Sequence, residues 1–163
     1  MVFLVGMMGA GKTSLAKTLA KQSGLPYFDT DAYIKVQTGK SISEIFNTKG
    51  EAAFRKMEEE CFYTLTPKAK WISTGGGFPC YNDLMVKMKK LGTVVYLKLT
   101  PEELNSRIQS YANRPLLQTS QPLNELTRLL NERAEIYEMA DFVINGNQST
   151  TNLVKEFQDL GLI

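Results

Sequence analysis

A three-layer α/β/α fold around a parallel sheet is what the sequence predicts, and three observations carry the prediction. Short β-branched or apolar runs alternate with longer amphipathic stretches, as parallel strands alternate with helices. The first of these runs, Val2–Val5, leads straight into the glycine-rich segment Gly6-Met7-Met8-Gly9-Ala10-Gly11-Lys12-Thr13. The length of 163 residues, 43% apolar and 22% charged, suits one domain that buries roughly 70% of its unfolded surface in one core.

Five strands are expected, at Val2–Val5, Tyr27–Asp29, Trp71–Ser73, 93–97 and 142–144. Helices are expected at 12–22, 41–65, 83–90, 101–110, 124–139 and 151–160. Ser41 and Glu44 have the spacing of a capping box. Thr100, Pro101 and Glu103 supply a cap, a first-turn proline and a carboxylate at the third helical position. Gly50 is expected to break the long third stretch. Segment 111–122, with two prolines and small polar residues, has no clear periodicity and reads as a functional loop, a lid. No repeat or linker divides the chain, so 1–163 reads as one domain.

Composition excludes whole classes of chemistry. There is no histidine, so Ser-His-Asp and Cys-His catalysis and most catalytic zinc sites are out. Proton transfer must fall to a carboxylate, a lysine, a tyrosine or water. A net charge of +2 is too small to argue for nucleic acid or a membrane surface. Cys61 and Cys80 form no CxxC pair and read as reduced thiols. No apolar run reaches the roughly 20 residues of a membrane helix, and no signal peptide is read at the start. The expected location is the cytoplasm.

The segment Gly6 to Thr13 matches GxxxxGK[ST] in full. Glycines let the backbone turn so that N–H groups of Gly9, Ala10, Gly11 and Ser14 and the helix N-terminus can face phosphate oxygens. Lys12 is expected to reach the β- and γ-phosphates and the Thr13 hydroxyl to ligate Mg²⁺. Neither a DxxG element nor an NKxD guanine reader occurs, which argues against a GTPase.

Asp29-Thr30-Asp31 is read as closing the second strand. Residues i and i+2 of a strand share a face, so the two carboxylates are expected side by side at the ligand-binding edge of the sheet. One could serve the Mg²⁺ shell and the other an acceptor hydroxyl, or both could be turn residues or helix caps. Arg133 lies on the stripe Leu126, Leu130, Arg133, Tyr137, and a core-facing arginine wants an anionic partner, in the protein or in a ligand. Glu51 and Glu59 flank Arg55 by one helical turn and could pair with it. Arg128 reads as solvated surface, while Arg114 lies in the lid, where it could close on a transferring phosphate. Gly75-Gly76-Gly77 follows the third strand; its place favours close approach of a ligand to the backbone over a merely flexible turn.

Taken together, these residues resemble shikimate kinase. The GMMGAGKT loop, the Asp29-Thr30-Asp31 strand end, Phe54-Arg55-Lys56-Met57-Glu58, Ser73-Thr74-Gly75-Gly76-Gly77, Arg114-Pro115-Leu116-Leu117 and Arg133-Ala134-Glu135-Ile136-Tyr137 stand in that family's order, from Gly6 to Tyr137. The resemblance implies a P-loop NTPase of the nucleoside-monophosphate-kinase-like fold, with a five-stranded parallel sheet, a substrate-binding subdomain at about 30–65 and a lid at about 109–122. It implies phosphoryl transfer from ATP, with Mg²⁺, to the 3-hydroxyl of shikimate by a monomer. By that similarity Asp31 would orient the attacking hydroxyl, and Arg55 and Arg133 would grip the shikimate carboxylate. Gly76 and Gly77 would offer N–H groups, Glu58 would support the substrate-site arginine, and Asp29 would act on the Mg²⁺ shell. Arg114 would swing in with the lid, Arg107 would stack on adenine, and Gln148 would contact adenine where many relatives carry a basic residue. The competing readings are a kinase acting on gluconate or a nucleoside monophosphate, and a non-catalytic P-loop nucleotide-binding module. Gly77-Phe78-Pro79 is shared with the GFPR element of adenylate kinases, but Cys80 stands at the arginine position.

Overall fold

The computed structural model describes residues 1–65, 69–108 and 115–163. Five parallel strands, β1 (Val2–Val5), β2 (Tyr27–Asp29), β3 (Trp71–Ser73), β4 (Thr93–Lys98) and β5 (Phe142–Asn145), form one sheet in the order β2-β3-β1-β4-β5. All of β1 and β3 is buried, as strands covered on both faces by crossover helices must be. Seven α-helices accompany them among the described residues: α1 (Lys12–Ser23), α2 (Thr30–Thr38), α3 (Ile42–Thr64), α4 (Leu84–Leu91), α5 (Pro101–Arg107), α6 (Pro122–Glu138) and α7 (Thr150–Asp159). The five strands and six of the helices follow the sequence expectation to within a few residues. Helix α5 ends at Arg107 and Ile108 is non-helical, while the rest of the expected stretch to 110 lies outside the described residues.

Register explains why chemistry collects at one edge. Leu4 and Asp29 both pair across to Ser73, so parallel β1, β3 and β2 end together and deliver the Gly6 loop, Thr74 and Asp29 side by side. The main core runs through β1, β3 and β4, where Phe3, Trp71, Val94 and Val95 are fully buried. A second, smaller cluster of Ile34, Ile45, Phe54 and Cys61 joins α2 to α3.

The segment after β2 differs from the expectation. Asp29 is the last strand residue and also the N-cap of α2, its Oδ1 accepting from Ala32 N at 2.9 Å. Asp31 therefore sits in the first turn of a helix, and the two carboxylates do not share a strand face. The helix is short, closed by Gly39 in the left-handed conformation, and buries only Thr30 and Ile34. That leaves too few apolar positions for a 3.6-residue period to show.

Both expected capping boxes form, at Ser41/Glu44 and Thr100/Glu103. Gly50 interrupts α3 with φ 79° and ψ 171°, a backbone region open essentially to glycine alone. A Cβ there would meet nothing within 4 Å, so conformation is the only obstacle to a side chain. Gly50→Ala is expected to cost about 1–3 kcal/mol, read as a Tm lowered by several degrees. An unchanged Tm would show that the kink is not held by the rest of the fold.

Candidate active site

The Gly6 loop passes into α1 through Gly11, whose φ of 89° places the first helical N–H groups toward the loop's interior. No side chain caps α1 and no acidic residue occupies its first turn, which leaves those donors and the positive end of the helix dipole for an anion. Lys12 is buried, and its ammonium donates to the carbonyls of Gly6 and Met7 at 2.8 Å each. Thr13 Oγ donates to Asp29 Oδ2 at 2.6 Å and lies 3.1 Å from Ser73 Oγ. These hard oxygen donors at the loop are the kind that suit Mg²⁺ completed by phosphate and water. Ser73 had no signal of its own in the sequence; its place follows from the β2–β3 register.

Two cavities meet at this edge. One, of about 420 Å³, runs along the phosphate loop past Lys12, Thr13, Ser14 and Asp29. The other, of about 270 Å³, is enclosed by Asp31, Arg55, Glu58 and Arg133 on its charged side and by Ile42, Phe46 and Phe54 on its apolar side. Met8, Asp31, Lys35, Gly75 and Gly76 border both. Asp31 thus stands at the junction, and Lys35, one turn further along α2, lines the same junction without having been singled out from the sequence.

The glycine run is packed closely by the protein's own groups. A side chain at Gly75 would begin 2.6 Å from Asp31 Oδ1 and 2.9 Å from Glu58 Oε1. One at Gly77 would begin 2.6 Å from Arg55 Nη1, and one at Gly76 would lie 3.2 Å from Met8 N and 3.6 Å from Arg133 Nη1. None of the three has a positive φ. Charged side chains thus lie too close to Gly75 and Gly77, and the Met8 backbone too close to Gly76, for a side chain to fit without displacement. All three glycines also line the smaller cavity, so a ligand held there would lie against their backbone.

Arg55 is buried and pairs with Glu51 at 2.7 Å and Glu58 at 2.6 Å. Glu59, an expected partner, instead pairs with Lys87 at 3.1 Å. Among the described residues three of the five guanidinium N–H groups are engaged, Nε and Nη2 by Glu51 and Nη1 by Glu58, so two remain. Arg133 is 4% exposed and, among the described residues, forms no ion pair with a carboxylate; its Nη1 lies 3.8 Å from Met7 Sδ. The stripe that predicted its burial holds, since Leu126 and Tyr137 are fully buried beside it. Tyr137 donates its hydroxyl to Gly76 O at 2.6 Å and so ties α6 to the glycine run.

Arg107 donates to Gly146 O and Asn147 Oδ1 at 3.1 and 3.0 Å, while Gln148 Nε2 donates to Asn145 O and Glu156. Both residues thus meet at the loop after β5. Ile108 touches the Gly9 side of the phosphate loop, 3.0 Å from where a Gly9 Cβ would lie. Arg114 and positions 109–114 of the expected lid lie outside the described residues; Pro115–Leu117 form a 3₁₀ turn, and Pro115 and Leu116 border the smaller cavity. Arg128 pairs with Glu125 and Glu132 on the surface, as expected. Burial pushes the thiols of Cys61 and Cys80 up to about 12 and about 11, which keeps both protonated.

Glu58 is the electrostatic hinge of the smaller cavity. Burial, the largest cause, pushes its carboxyl up to about 7; Arg55 opposes this, and Asp31 adds to it. Its Oε1 has no hydrogen-bond partner among the described residues. A carboxyl that is easier to protonate folded than unfolded contributes most while protonated, and that contribution is lost as pH rises through about 7. Tm is therefore expected to fall by a few degrees between about pH 5 and pH 7.5, with a flatter profile for Glu58→Gln. Parallel profiles for the two proteins would contradict this.

Comparison with known proteins agrees with this geometry. The shikimate kinase family model matches residues 8–160. The chain is 38% identical to a shikimate kinase of Thermodesulfovibrio yellowstonii over 98% of this chain and 95% of that one. It superposes on the structure of shikimate kinase from Acinetobacter baumannii in complex with shikimate with a TM-score of 0.92 at 36% identity, covering 99% of this chain and 92% of that one. A gluconokinase from Sinorhizobium meliloti, with a TM-score of 0.53, 15% identity and coverage of 95% and 87% of the two chains, shares the fold. No helix of the described residues is long and apolar enough to cross a membrane. By family model, relatives and architecture, the chain belongs to the shikimate kinase family.

Proposed function

We propose that this protein transfers the γ-phosphoryl group of ATP to the 3-hydroxyl of shikimate, giving shikimate 3-phosphate and ADP for the synthesis of chorismate and aromatic amino acids. It does so as a cytoplasmic monomer. The observation that carries this reading is the pair of adjoining cavities with Asp31 at their junction. Phosphoryl transfer through a loose transition state needs alignment and charge neutralisation more than a strong base. Asp31 aligns the acceptor hydroxyl and takes its proton as the bond to phosphorus forms. Lys12 and the N–H groups of residues 9–14 hold the phosphates.

Mg²⁺, held by Thr13 and Asp29, supplies further neutralisation of phosphate charge when bound. Arg55 and Arg133 face the acceptor cavity from opposite elements, α3 and α6, and take its carboxylate; among the described residues two Arg55 N–H groups have no hydrogen-bond partner and Arg133 has no carboxylate partner, which supports that role. Gly76 and Gly77 add N–H groups, and Glu58 holds Arg55 in place. The α2–α3 cluster supports reading about 30–65 as the substrate-binding subdomain. Residues 109–122 act as the lid, bringing Arg114 to the transferring phosphoryl group, and Arg107 and Gln148 serve the adenine side.

A coupled ADP assay with shikimate, quinate, gluconate and AMP tests the acceptor. Turnover with shikimate at least about a hundred-fold above gluconate and AMP is expected, and preference for either of those would overturn the reading. Asp31→Asn is expected to lower kcat about 10²–10⁴-fold while ATP affinity stays within two-fold. Full turnover by that variant would remove Asp31 from the chemistry.

A further inference from the structure

Tyr81 has no place in the reading so far, and its setting is unusual. Its ring lies over the Arg55 guanidinium, 4.1 Å from ring centroid to Cζ, closer than the rings of Phe54 and Phe46 at 5.4 and 6.0 Å. Its hydroxyl donates to Glu51 Oε1 at 3.2 Å, the same oxygen that accepts from Arg55 Nε and Nη2. Tyr81 is 37% exposed and belongs to neither hydrophobic cluster, so core packing does not account for where it sits.

The backbone around it is costly. Asn82 and Asp83 adopt φ of 53° and 54°, two consecutive left-handed residues that are not glycine. Left-handed backbone is disfavoured for residues with a Cβ, least so for Asn and Asp, and two in succession persist where the surroundings hold them. Asp83 gives no side-chain cap to α4 in return. What the turn does achieve is to carry the chain from the Phe78–Cys80 turn to α4 with Tyr81 laid across Arg55.

We propose that Tyr81 is the positioning residue of the acceptor-carboxylate grip. With Gly77 and the Glu51 and Glu58 carboxylates it fixes the plane of the Arg55 guanidinium, so that the two unused N–H groups meet the acceptor in one orientation. Tyr81 does not border the acceptor cavity and acts through Arg55. This deepens, and rests on, the assignment of Arg55 to the acceptor carboxylate.

The test compares Tyr81→Ala and Tyr81→Phe with the wild type. Tyr81→Ala is expected to raise KM for shikimate roughly ten-fold, the worth of a largely desolvated cation–π contact. Its kcat and its KM for ATP should stay within about two-fold. Tyr81→Phe keeps the ring and should restore KM to within about three-fold of wild type. An unchanged shikimate KM in Tyr81→Ala, a parallel rise in KM for ATP, or a Tyr81→Phe as impaired as Tyr81→Ala would overturn the proposal. Coupling to Arg55 is read without any acceptor in a Tm cycle of Tyr81→Ala with Arg55→Lys. Non-additive changes are expected, and additive ones would overturn the proposal even if shikimate proved not to be the acceptor.

Discussion

The close packing of charged side chains against Gly75, Gly76 and Gly77 is the constraint on which the rest of the site depends. Four ionisable groups, Asp31, Glu58, Arg55 and Arg133, converge on three residues that have no side chains of their own. Burying such charges is expensive unless they are paired, and here the pairing is left incomplete by design of the cavity. Glu51 and Glu58 share Arg55, whereas Arg133 has no carboxylate partner among the described residues. The Arg133 guanidinium faces the cavity, where a carboxylate-bearing acceptor would pair with it.

The fold delivers this arrangement through the sheet. Parallel pairing in register brings the ends of β1, β2 and β3 to one edge, so the phosphate loop, Asp29 and the glycine run are neighbours although they lie far apart in sequence. Helices α2 and α3 then bring Asp31, Arg55 and Glu58 over that edge, tied together by the Ile34, Ile45 and Phe54 cluster. From the other side α6 contributes Arg133 and, through the Tyr137 hydroxyl, a direct bond to Gly76 O. Rigidity in these supports matters because orientation, more than basicity, is what phosphoryl transfer asks of the protein.

Legibility in the sequence followed how local each signal was. The phosphate loop was fully readable, because strand, glycines, lysine and helix are contiguous. Helix α2 was not, since a nine-residue helix burying Thr30 and Ile34 leaves almost no period, and Asp29 doubles as strand end and cap. The partner of Arg55 was half right: i,i+4 spacing found Glu51 but also suggested Glu59, which the tertiary position of Lys87 draws away. The glycine run was located from its place after β3, but the side chains that fold over it were not legible, because that packing is a long-range fact. Ser73, Lys35 and Tyr81 are brought to the site by strand register, by the junction of two cavities and by a left-handed turn, none of which is a local signal in the sequence.

Gly77 is glycine to admit the Arg55 guanidinium, and the Gly77→Ala variant puts this to the test. Gly77 has φ −82° and ψ −11°, a conformation alanine adopts without strain, and the atoms nearest a Cβ there all belong to the Arg55 guanidinium. A movable side-chain end is thus what must yield. Calorimetric titration of Gly77→Ala is predicted to show shikimate affinity reduced by about ten-fold or more, with ATP affinity within about two-fold of wild type and Tm lowered as the buried Arg55–Glu58 pair is disturbed. Wild-type affinity for shikimate, or an equal loss for both ligands, would contradict the account.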